Sequence, residues 1–152
     1  MSEFGQQQTF DFYFRKDFRV MNFPFEPRST SYLRQGQYWS FQLSNGHFAC
    51  GLVLARTTSE GKLNRTLFLG GLLNWSGLSL PTPSNLKNAG VLQSGFMHIR
   101  AIQRNGGEVN GAVDGTWDVA PEVMYMGLSS DGPSIWGYGY IRALAEKHFG
   151  DE

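Results

Sequence analysis

Apolar and polar positions alternate most regularly between Arg34 and Arg56, RQGQYWSFQLSNGHFACGLVLAR. Trp39, Phe41 and Leu43 recur at spacing two, and Phe48, Cys50, Leu52 and Leu54 do the same, so each run presents one apolar face as a strand. Asn45-Gly46 between them is a strong hairpin signal. Upstream, Phe10, Phe12 and Phe14 alternate with Asp11 and Tyr13 and predict an early strand, which Pro24 and Pro27 end. Downstream, TTSEGKLNR reads as a polar loop, and Thr66 to Trp75 reads as a buried strand with a bulge at Gly70-Gly71, in preference to a short helical turn. Ser76 to Gly95 is rich in Ser, Pro, Asn and Gly, which predicts a long surface connection with at most a short helical piece over 84–89.

Phe96 to Ile102 predicts another strand, with Met97, Ile99 and Ala101 on one face and Phe96, His98, Arg100 and Ile102 on the other. Asn105-Gly106-Gly107 supplies a turn, and Asp114-Gly115 predicts a hairpin into TWDV, ending at Pro121. From Tyr140 the period changes. Ile141, Leu144, Ala145 and His148 stand at i, i+3, i+4 and i+7, one face of a helix for which Gly150 is a fitting stop.

A chain of 152 residues with 41% hydrophobic residues is long enough for one domain with a real core. Only 17% of it is charged while 14% is aromatic, and it has 19 glycines, which favours strands and tight turns. The expected fold is therefore mostly β within the α+β class: a strongly bent antiparallel sheet or small open barrel with one C-terminal helix. Residues 1–8 are read as a polar start outside the domain, and 9–152 as a single domain.

Thirteen basic and thirteen acidic residues cancel, so nothing in the total points to nucleic acid or to an anionic membrane. The distribution is uneven: residues 1–104 hold eleven Lys/Arg against five Asp/Glu, and 105–152 hold two against eight. Either the halves interleave and the charges mix, or an acidic patch steers a basic partner. No apolar run reaches membrane-spanning length and the start lacks a signal-peptide pattern, so a cytoplasmic protein is expected.

Cys50 is the single cysteine, which allows no internal disulfide, and its place on an apolar strand face predicts a small buried hydrophobe. His47 lies three residues away, on the opposite face of a strand, which argues against a Cys/His pair. His47, His98 and His148 form no ligand pair at metal spacing, and no phosphate-cradling or nucleophile-elbow sequence occurs. Asp114 with Asp118, or Glu108 with Asp114, lies in turn-rich polar sequence where solvated acids are ordinary. No enzymatic activity, metal or cofactor is expected. Among the aromatics Trp75, Trp117, Trp136, Tyr138 and Tyr140, which either fill the core or form a platform, the glycine-flanked Trp136 and Tyr138 are the candidates for exposure. Of the hairpin, only the tip, with Asn45 and His47, is available for contact.

With Gly36, Trp39, Phe41, Leu43, Gly46, Phe48, Gly51, Val53 and Leu54 in view, the hairpin resembles the opening motif of the immunity protein 26 family of bacterial polymorphic toxin systems. A glycine precedes an aromatic-led strand, a small-residue turn follows, and Gly and Val stand in the return strand. Gly115, Trp117 and Val119 are a weaker second echo. The resemblance covers residues 34–56 well and 96–121 loosely, and leaves out the Phe-rich start and the terminal helix. It implies a protein that binds a cognate toxin domain and blocks it by direct contact, without catalytic residues. For a cationic toxin, Asp114, Asp118, Glu122 and Asp131 are the acids expected to face it. The alternatives are a carbohydrate-binding module using Trp75, Trp136 and Tyr138, and a small hydrolase using His47 or His98.

Overall fold

The computed structural model describes residues 22–114, 123–125 and 134–152. The predicted Phe-rich strand and the TWDV segment lie outside these residues. Strand β1 (Gln37–Gln42) pairs antiparallel with β2 (Phe48–Ser59), placing Trp39 opposite Gly51 and Phe41 opposite Ala49. The hairpin is as expected, but its turn is wider than two residues. Leu43 N–H donates to the His47 carbonyl (2.7 Å) and Gly46 N–H to the Leu43 carbonyl (3.0 Å), with Gly46 at φ +89. That is a three-residue loop whose left-handed position falls on the glycine.

The stretch read as a polar loop continues the sheet. β2 runs into β3 (Lys62–Gly77) through Glu60-Gly61, both at positive φ (53 and 77), the two-residue turn that matches strand twist. Thr57 and Thr58 are polar but β-branched and suit an extended backbone. Thr57 is fully buried and donates its hydroxyl to the Leu67 carbonyl at 2.8 Å. Register shifts between Ala49 and Gly51, Val53 and Ala55, and Arg56 and Thr58 bend this long hairpin. The bulge expected at Gly70-Gly71 is corrected: both glycines pair in register with Val53 and Leu52, and the extra residue is Leu54 of the facing strand.

A short helix α1 (Pro83–Leu86) interrupts the following connection. Thr82 caps it: Asn85 N–H donates to Thr82 Oγ1 and Thr82 N–H donates to Asn85 Oδ1. Strand β4 (Val91–His98) then pairs antiparallel with β3. Here the predicted strand over 96–102 is corrected. The ladder stops at His98, and helix α2 (Arg100–Arg104) follows. Ala101 and Ile102 are buried while Arg100 and Arg104, one turn apart, are exposed. In so short a run, Met97, Ile99 and Ala101 fit strand spacing while Ile99 and Ile102 fit helix spacing, and the burial of both Ala101 and Ile102 follows the helix.

Strands β5 (Gly111–Ala112), β6 (Val123–Tyr125) and β7 (Ile135–Trp136) complete one sheet, in the order β5-β1-β2-β3-β4-β7 with β6 alongside β2. The sheet stays open. It is mixed, not wholly antiparallel, because β6 on β2 and β7 on β4 run parallel. The predicted C-terminal helix α3 (Tyr140–Phe149) is present. It covers one face of the sheet, where Ile141, Leu144, Ala145 and Phe149 pack into a core with Trp39, Phe41, Phe68, Leu72 and Met97. Cys50, Leu52, Leu54, Leu69 and Leu73 form a second core on the other face, with Leu86 and Val113. Both arms of the first hairpin are therefore apolar for different reasons, one run serving each face. Among the described residues no helix is long and apolar enough to cross a membrane.

Candidate functional site

The hairpin tip grips the terminal helix. Ser44 N–H and hydroxyl both donate to the Glu146 carboxylate (2.9 and 2.8 Å), and Asn45 Nδ2 donates to the carbonyls of Phe149 (3.1 Å) and Gly150 (3.3 Å), which have no partner within the helix. Asn45 Oδ1 accepts His47 N–H at 3.0 Å, which fixes the amide's orientation. Ser76 Oγ donates to Glu152 Oε1, and His47 Nδ1 faces the same oxygen at 3.5 Å, outside hydrogen-bond geometry. His47 and Ser76 thus both face the Glu152 carboxylate, and only Ser76 is hydrogen-bonded to it. The Ser44 bonds, backbone first and hydroxyl second, hold the Glu146 carboxyl below its ordinary value. Asn45 and His47, read from sequence as available for contact, are engaged within the molecule.

The aromatic candidates separate. Trp136 is buried at 5% exposure, which corrects the expectation that it is exposed. A Cβ on Gly95 would come within 2.3 Å of its Nε1, so the glycine forms the seat of the indole, and Tyr140 closes over it with ring centroids 4.8 Å apart. Trp75 packs against the second core whereas Trp136 belongs to the first, so they lie on opposite faces and share no platform. Tyr138 is half-buried. Its ring meets His98 edge-on at 5.3 Å and carries the Arg104 guanidinium at 5.0 Å.

Asn105 positions that assembly, and sequence reasoning passed over it as a turn residue. Buried at 2% exposure, it donates to the carbonyls of Ala101 and Tyr138 (both 2.8 Å), and its Oδ1 accepts Arg142 Nε–H at 3.1 Å. One amide therefore joins the end of α2, the approach to α3 and α3 itself. His98 Nδ1 accepts the Arg100 N–H at 3.1 Å; burial first, and the Arg100 charge second, hold its imidazole below the ordinary range and so neutral at pH 7.

Exposed side chains gather around this edge of the sheet. On the side of the first core, Tyr140 (40% exposed) touches Gln93 and Trp136, and Tyr138 with Arg104 and Arg100 lies along α2; Ile135 (61% exposed) pairs with Phe96, on the side of the second core. Tyr and Arg are the residue types that carry binding energy at protein interfaces, because each offers large contact area with a directed polar end. At the opposite edge of the sheet Asp114, exposed, lines an open cleft of about 310 Å³ with Pro83, Ser84, Lys87, Ala112 and Val113. Asp118, Glu122 and Asp131 lie outside the described residues. Cys50 is fully buried, and burial pushes its thiol far above the usual range, as suits a packing residue. Among the described residues no His, Cys, Asp and Glu gather into a metal-binding group. No protein-family model matches the chain, and neither a curated protein nor a solved structure matches it.

Proposed function

We propose that this protein neutralises a cognate bacterial toxin domain by direct contact, as the resemblance of its first hairpin to the immunity protein 26 family implies. The observation that carries the reading is the group of Tyr138, Tyr140 and Arg104 at the β7 edge of a sheet buried on both faces. Rigid support lowers the entropy lost when side chains order on binding, so such a group favours a protein partner. The sugar-binding alternative loses its main support, since Trp75 and Trp136 do not share a surface.

The test is co-expression with the toxin domain encoded beside this gene, followed by mixing of the purified proteins. Rescue of growth and a complex at micromolar concentration are expected. No rescue together with no complex overturns the reading.

A further inference from the structure

Three segments that carry four exposed arginines are tied together at the end of β3 distant from the hairpin tip. Ile99 N–H donates to the Thr66 carbonyl (2.7 Å), which brings Arg65 beside the start of α2 and Arg100. Gln103 Nε2 donates to the Pro27 carbonyl (2.8 Å), which holds Arg28 against the same helix. Thr30 Oγ1 donates to the Asn64 carbonyl (2.7 Å), tying that segment to β3 as well. Arg28, Arg65, Arg100 and Arg104 are all exposed, and among the described residues none has a carboxylate partner. Elsewhere charged side chains are hydrogen-bonded within the fold: Arg142 donates to Asn105 and to the Gln42 carbonyl, and Glu146 accepts from Ser44.

We infer that this arginine-rich end, continuing into Tyr138, is the docking surface for an acidic polypeptide segment of a protein partner. The inference rests on the reading of the chain as a protein-binding protein and adds the partner's charge, opposite to that expected from the acidic C-terminal third. Three features favour carboxylates on a protein over phosphates on a nucleic acid. Arginine outnumbers lysine at this end four to one, Lys62 lying further out at the start of β3, and its planar fork binds carboxylates in pairs and is enriched at protein interfaces where lysine is depleted. One of them already stacks on an aromatic ring, so less freedom remains to be lost on binding. The chain as a whole is neutral, whereas sequence-independent nucleic-acid binding draws on a large basic surplus.

The test titrates the full chain into a fluorescein-labelled glutamate-rich peptide and, separately, into a labelled single-stranded oligonucleotide of equal charge, following anisotropy at low and moderate salt. Expected are tighter binding of the peptide, weakening with salt, and a loss of about tenfold or more in the double variant Arg100→Glu/Arg104→Glu. Arg28→Gln/Arg65→Gln, which removes charge without reversing it and leaves α2 untouched, is expected to lose several-fold and decides the matter should the first variant not fold. Equal peptide affinity in the folded variants overturns the inference, and so does tighter binding of the oligonucleotide. Toxin rescue separates this from the reading beneath it. Peptide binding that depends on the arginines, without rescue, retains the surface and removes the toxin; rescue unchanged in Arg100→Glu/Arg104→Glu does the reverse.

Discussion

The two ends of β3 are both polar, yet they hold their polar groups in opposite states. At the Ser76 end, Ser44, Asn45, His47, Glu146 and Glu152 converge, and most of their hydrogen-bonding capacity is consumed inside the molecule. At the Arg65 end, four guanidinium groups stand exposed with no carboxylate against them. Exposure and polarity alone do not distinguish the two. The difference is the source of the partner: the first end completes its contacts with the chain's own helix, and the second leaves them to another molecule.

The strongest test of this contrast removes the support that both ends share. Trp39 is fully buried, lies over Gly51 and meets Phe68 edge-on at 6.0 Å, so Trp39→Ala is expected to cost about 3–5 kcal/mol by urea unfolding. Both ends then fail together. Gly95→Ala is a more local disturbance: its Cβ has no room beneath the Trp136 indole, and a cost of about 1–3 kcal/mol is expected, with a change in tryptophan emission. A neutral Gly95→Ala would mean that the indole shifts freely and that the group beside it is not rigid.

The first hairpin, the strand over 66–75 and the terminal helix were legible because each is written in one continuous run with its own period, whereas the bulge expected at Gly70-Gly71 was misplaced, because the extra residue is Leu54 of the facing strand. The short helix α2 was not, because Met97, Ile99 and Ala101 satisfy a strand pattern up to the point where the His98 imidazole takes the Arg100 N–H. Neither end of β3 was legible either. The Asn45 bond to the Phe149 carbonyl spans 104 positions, and the arginine cluster draws on residues 28, 65, 100 and 104, so both exist only once the sheet is assembled. The burial of Trp136 was hidden for the same reason: its seat is Gly95, a residue from a different strand.

Matched substitutions at the two ends sharpen the contrast further. Asn45→Ala removes one donor to the Phe149 carbonyl and the donor to the Gly150 carbonyl at the end of α3 and is expected to lower stability by about 1 kcal/mol. Arg100→Ala removes an exposed side chain without a carboxylate partner and is expected to change stability by less than about 0.5 kcal/mol, while weakening the acidic peptide. Comparable losses from both, measured by urea midpoint, would erase the distinction between a clamp and a docking surface.

The smallest effect concerns protons. Glu146 has a folded value below its ordinary 4.5 because the carboxylate accepts from Ser44, so the unfolded chain binds its proton more readily than the folded one. Its contribution to stability is therefore present above the unfolded value and is lost as the pH falls through the folded value. Urea midpoints taken from neutral pH into the acid range should fall less steeply for Glu146→Gln than for the wild-type chain, with the curves converging at the acid end once both side chains are uncharged. Ser44→Ala should lie between them, since it removes the hydroxyl bond and keeps the backbone one. Parallel curves would mean that the tip touches the helix without holding it, and Asn45 alone would then account for the clamp.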